Sequence, residues 1–155
     1  MKIIFLLLIA LTCNVSYACS VPKPGFNWSK DDLIEKSETI VLVKLASAEL
    51  DETSTKYTLS PIKTLKGKAN KIIFWSHSKK HYESDFSFHS DAEFWMPNIG
   101  RSEFPCCICG PDHTFEKDEM YLLFPDAMGS MKSGEIIKDI EKDEWYKYVI
   151  DRVNG

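Results

Sequence analysis

Thr39-Ile-Val-Leu-Val-Lys-Leu-Ala-Ser-Ala-Glu-Leu50, followed by Asp51-Glu-Thr-Ser54 and Thr55-Lys-Tyr-Thr-Leu-Ser-Pro-Ile-Lys-Thr-Leu65, is the stretch on which the fold turns. Its first part is rich in Val, Leu and Ile and long enough for a bent strand. Its last part alternates in part, through Tyr57, Leu59, Ile62 and Leu65. Pro61 has no N–H to give to a ladder, so it predicts a bulge or an edge at that point. The four polar residues between the two runs predict a turn, and the whole reads as a hairpin. Lys66-Gly-Lys68 turns the chain again, and Lys71 to Ser76 predicts a third strand around Ile72, Ile73, Phe74 and Trp75.

Upstream, Ser20 to Trp28 carries two prolines and a glycine and reads as an extended lead-in. Ser29 with Asp32 three residues later resembles a capping box, opening a short helix through about Lys36 with Leu33 and Ile34 facing inward. Downstream, Met120 to Phe124 predicts a short buried strand, and Met131 to Ile137 a last strand after a turn at Gly129. From about Asp139 to Val153 the pattern is helical, with Ile140, Trp145, Tyr148 and Val149 on one face and charges on the other. Between these elements, residues 77–113 hold all four histidines and three cysteines without a clean period. A connection of that length in a compact domain is either functional or tied down by cross-links. The fold class expected is α+β, mainly β: a small β-barrel with a short N-terminal helix and a C-terminal helix.

The first residues read as an export signal. Lys2 supplies the positive end, Ile3 to Leu11 is an apolar run, and Ser16 and Ala18 are small residues placed for cleavage before Cys19. A spanning helix needs about 20 apolar residues, and here Thr12, Cys13 and Asn14 interrupt the run. A lipid anchor on Cys13 or Cys19 wants a Leu-like residue three positions earlier and finds Ala10 and Ser16. Residues 1–18 are therefore expected to be removed, leaving 19–155 as a single secreted or periplasmic domain, a size that suits one core. The formal net charge of the chain is −4, and −5 without Lys2. With no basic patch to neutralise phosphates, nucleic acid is not an expected partner. No later stretch is apolar enough to span a bilayer. Loss of Cys13 with the signal leaves Cys19, Cys106, Cys107 and Cys109, an even number that in an exported chain points to disulfides.

Cys19-Ser-Val-Pro22, the run Ile40-Val-Leu-Val-Lys44, Tyr57-Thr-Leu59 with Lys63-Thr-Leu-Lys-Gly67, and Cys109-Gly110 followed by Phe115 and Glu119-Met-Tyr-Leu-Leu-Phe124 resemble a netrin-like domain. This is the domain of the tissue inhibitors of metalloproteinases and of many bacterial secreted proteins, to which the chain is closest in appearance. The similarity runs from Cys19 to about Phe124 and rests on the order and spacing of short motifs. It implies a five-stranded OB-type barrel and a disulfide from Cys19 to Cys109. In the chain-entropy model a bond closing a loop of about 90 residues stabilises by about 4–5 kcal/mol. In the inhibitory members, the free amine and carbonyl of the first cysteine bind the zinc of a target metalloprotease, a role the resemblance offers to Cys19. The chain departs from those members at Val21, where they have a second cysteine, and in its acidic C-terminal helix.

Three clusters could carry chemistry. Cys106-Cys107-Ile-Cys109 with His113 gathers thiols and an imidazole that suit a zinc or copper site. The competing reading is a disulfide framework in which the pairing of Cys106 and Cys107 stays open. His77 and His81 flank two lysines and read as solvated surface. His89, Asp91, Phe94 and Trp95, with Arg101 beyond, form a polar–aromatic run. A histidine beside a carboxylate can move protons or bind a ligand. Alternatively, Phe94 and Trp95 anchor the long connection while His89 and Asp91 bond its backbone. No nucleophile stands with a base, and no phosphate loop or cofactor motif is present. The expectation is an exported, non-enzymatic binding module for a protein or small ligand. Metalloprotease inhibition through Cys19, and metal or redox chemistry at the cysteines, are the alternatives.

Overall fold

The computed structural model describes residues 24, 25, 27–76, 89–96 and 113–155. Among the described residues there are two α-helices and five strands: α1 (Lys30–Lys36), β1 (Ile40–Leu50), β2 (Thr55–Lys66), β3 (Ile72–Ser76), β4 (Met120–Leu123), β5 (Gly134–Ile136) and α2 (Glu144–Asn154). The strands form one antiparallel sheet in the order β3-β2-β1-β4-β5. The fold is thus mainly β. Among the described residues β3 and β5 are the two edges, and the sheet is open rather than closed into a barrel.

The long hairpin is bent by three irregularities in its register. Leu65 and Ile62 are extra residues on β2, and Ala46 is an extra residue on β1. A residue without an opposite number kinks its strand and increases the local twist. Pro61 stands next to the Ile62 bulge, as its missing donor requires, and Ile62 is pushed outward to half exposure.

β4 and the first four residues of β1, Ile40–Val43, are covered on both faces. Alternate residues of a strand point to opposite sides, and here they enter two separate clusters. Ile40, Leu42, Leu122 and Phe124 pack with Leu33 and Ile34 of α1 and Trp145, Tyr146 and Val149 of α2. Val41, Val43, Tyr121 and Leu123 pack with Tyr57, Leu59, Phe115 and Ile136 on the other side, where Ile72 and Phe74 of β3 join them. The continuous apolar run Ile40–Val43 follows from this double burial.

α1 opens with the expected capping box. The Ser29 hydroxyl accepts from the Asp32 N–H at 3.1 Å, while the Asp32 carboxylate accepts from the Ser29 N–H at 3.3 Å. At the other end the Lys66 ammonium donates to the carbonyls of Ile34 (2.9 Å) and Glu35 (2.8 Å), which lack partners within the helix. The chain then enters β1 across Asp126, whose carboxylate takes the N–H groups of Glu38 (2.5 Å) and Thr39 (3.4 Å).

Two expectations are corrected here. The C-terminal helix begins at Glu144, not near Asp139. Asp139 holds a turn of its own, accepting from Glu141 N–H through its carboxylate and from Lys142 and Asp143 N–H through its carbonyl. Ile140 sits in that turn and is exposed, whereas Trp145 and Val149 are fully buried. The last strand is also shorter than Met131–Ile137, because residues 131–133 complete the turn that leads into it.

Gly67 follows β2 with φ +70°, and a Cβ there would be driven into the Glu38 carbonyl oxygen. Left-handed backbone costs a residue with a Cβ about 1–2 kcal/mol, and overpacking adds about 1–3. Gly67→Ala is expected to lower stability by about 2–4 kcal/mol in urea denaturation, against less than about 0.5 for Lys68→Ala next to it.

Candidate functional site

Only part of the stretch 77–113 is described, and its middle, residues 89–96, is bound tightly to the domain. Its backbone closes short turns, Phe94 N–H to Asp91 O (3.1 Å), Trp95 N–H to Ala92 O (3.2 Å) and Met96 N–H to Glu93 O (3.1 Å). Phe94 is fully buried among α1, α2 and the sheet. Its ring meets Trp145 edge to face at 5.4 Å, and Trp95 meets Tyr148 at 5.2 Å and Trp145 at 6.1 Å. Such aromatic contacts add about 0.5–1.5 kcal/mol each beyond the area they bury. The Trp95 indole N–H also donates to the His89 carbonyl at 2.8 Å.

The His89 ring does not serve the loop backbone. It reaches Asp143, with Nδ1 at 2.7 Å from Oδ2, and on its other side Nε2 stands 3.6 Å from Glu135 Oε2. Both partners come from elements that must be where they are for other reasons. Asp143 is the N-cap of α2, its second oxygen accepting from Tyr146 N–H at 2.7 Å. Glu135 is the middle residue of β5, turned toward the helix face because Gly134 and Ile136 face the other cluster. His89 is 4 % exposed and Glu135 1 %. Lys132, 2 % exposed, lies beside them, its ammonium 3.3 Å from the Met96 carbonyl and 5.2 Å from the centre of the Phe94 ring.

Burial is the largest single influence on His89 and disfavours its charged form. The hydrogen bond to Asp143 and the negative charges of Asp143 and Glu135 together outweigh it and raise the imidazole to about 9. His89 is therefore a buried cation at neutral pH. Lys132 goes the other way: burial pulls it down to about 8, the Glu135 charge raises it, and Lys30 of α1 lowers it. The site holds two cations and two carboxylates.

His113 is held separately, on the opposite face. Its Nε2 is 2.9 Å from Ser133 Oγ, which in turn donates to the Ser130 carbonyl at 2.7 Å. That chain makes Nε2 the protonated nitrogen, with Ser133 accepting. The ring rests on Gly134, where a Cβ would approach Nδ1 to 2.9 Å, and packs near Phe74 at 6.1 Å.

Of the residues singled out in the sequence, His89 and Trp95 are brought together, and Asp91 is exposed at the surface of the same segment. Arg101, Cys19, Cys106, Cys107, Cys109, His77 and His81 lie outside the described residues, and so does the cysteine part of the Cys–His metal cluster. Among the described residues no group of three His, Cys, Asp or Glu side chains is placed to hold a metal, and no helix is long and apolar enough to cross a membrane. Asp143, Glu135 and Lys132 were not legible as partners of His89. Asp143 did carry a local signal, an Asp two residues before the apolar-periodic run Trp145–Val149. Compared with protein-family models, curated proteins and solved structures, the chain has no match in any of the three.

Removing one partner from a buried ionic group costs about 3–5 kcal/mol, because the others stay buried without it. His89→Ala is expected to lose that much in urea denaturation at pH 7. Asp91→Ala, on the exposed side of the same segment, is expected to change stability by less than about 0.5 kcal/mol.

Proposed function

We propose that this chain is an exported, disulfide-stabilised binding module without enzymatic activity, built on a netrin-like barrel of the OB type. One observation supports the barrel. The face formed by Val41, Val43, Tyr57, Leu59, Tyr121, Leu123 and Ile136, with Ile72 and Phe74 packed against it, draws apolar residues from all five strands into one cluster. With β1 in the middle, β2 and β3 on one side and β4 and β5 on the other, curling the sheet around that cluster would bring β3 toward β5. That closure would give the partly open five-stranded barrel on which OB-type domains bind their ligands.

Binding is favoured over catalysis because the His–carboxylate group among the described residues is sealed. Both carboxylates are engaged by His89, and all four charged side chains are at least nine-tenths buried. A general acid or base must come within hydrogen-bond reach of its substrate, and this one is already enclosed. Exposed apolar side chains occur instead on β3, where Ile73 and Trp75 stand outward beside Lys56. Function on such a scaffold lies in the site rather than the fold.

On this reading the mature chain starts at Cys19, bonded to Cys109. N-terminal sequencing and non-reducing peptide mapping of the exported protein are expected to give a start at Cys19 and a Cys19–Cys109 peptide. A start elsewhere, or Cys19 and Cys109 both as free thiols, would overturn the proposal. A free amine on Cys19 is also what metalloprotease inhibition requires, so an acylated start would remove that alternative.

A further inference from the structure

We propose that His89, Asp143 and Glu135 form a proton-dependent latch that ties the segment 89–96 to the seam between β5 and α2. The proposal stands on how the segment is held and does not depend on the function proposed above. Its ties include the His89 ring between two carboxylates, the Lys132 ammonium on the Met96 carbonyl, and Phe94 and Trp95 against Trp145 and Tyr148. The aromatic contacts are indifferent to pH. The ionic ones are not, because they gather charged groups from every neighbouring element. α2 contributes Asp143, β5 contributes Glu135, and the β4–β5 connection contributes Lys132, on which Lys30 of α1 acts in turn. Asp91 and Glu93, on the segment itself, are exposed.

Release of the segment carries His89 into water, where it recovers an ordinary imidazole's affinity for a proton. Docked, it holds its proton up to about pH 9 against a reference of 6.5. Its contribution to docking is therefore complete below 6.5 and is lost as pH rises toward 9. Lys132 acts in the opposite sense. Buried, it releases its proton near pH 8 rather than 10.5, so its contribution grows as pH rises from 8. Docking should therefore weaken from pH 6.5 to 8, by roughly fifteenfold from the His89 shift alone, and then level off.

The Trp95 indole N–H reports on the latch directly, since it donates to the carbonyl of His89 itself. The experiment is hydrogen exchange at that proton in the full chain between pH 6 and 9, corrected for the intrinsic pH dependence of exchange. In the wild type, protection is expected to fall by on the order of tenfold between pH 6.5 and 8. In Asp143→Asn, which keeps an N-cap residue for α2 but loses the charge facing His89, the fall should be much smaller. In Lys132→Met the fall should run on to pH 9. Glu135→Gln serves in place of the Asp143 variant if that one does not fold. Constant protection in the wild type, or an equal fall in the wild type and the charge-removed variant, would overturn the latch.

Discussion

The Asp143 carboxylate binds in two directions, and the helix face of the domain is organised around it. One oxygen takes the Tyr146 N–H and starts α2, while the other takes the ring of His89. The first contact fixes where the helix begins, and with it the phase that sets Trp145 and Val149 over the sheet. The second draws Phe94 and Trp95 over Trp145. Together they close the side of β1 and β4 on which Ile40, Leu42, Leu122 and Phe124 stand. Each such side chain gains about 1.5–3 kcal/mol on leaving water, so the polar contact organises a much larger apolar term. The ionic contact need not be strongly stabilising in itself. A buried charge group is costly to assemble and costly to break, and its effect here is to specify one arrangement of strand, helix and loop.

The opposite face of the sheet is built on another principle. Tyr57, Phe74, Phe115 and Tyr121 meet edge to face at 4.9–5.7 Å, and the polar group nearest them, His113, joins a hydrogen-bonded chain through Ser133 to Ser130. Gly134 keeps room for the His113 ring on one side of β5, while the next residue, Glu135, turns to the other side and faces His89. A three-residue strand thus serves both cores, and a shift of one position would exchange a glycine for a carboxylate on each face.

The strands were legible because their signals are local. Val, Leu and Ile in Thr39–Leu50, the bulge demanded by Pro61, and the Ser29–Asp32 capping box each express themselves within a few residues. The C-terminal helix was legible in its apolar face but not in its start, because Asp139 and Asp143 are both capable caps, and the contact with His89 that engages the second comes from 54 residues away. The anchoring of the long connection by Phe94 and Trp95 followed from their size. The partners of His89 did not follow from sequence, since Glu135 and Asp143 are distant along the chain and meet it only through the sheet order and the start of α2. A charged residue within a short apolar strand, as Glu135 is, is the one sequence signal of a buried ionic partner, and it does not say which.

The central claim is that His89 is a buried cation held between two carboxylates. The direct test is the protonation state of its ring by nitrogen-15 NMR at pH 7.5, with Asp143→Asn alongside. Protons on both ring nitrogens in the wild type, and a lower titration midpoint in the variant, are the predicted result. A neutral ring that titrates near 6.5 in both proteins would contradict the account.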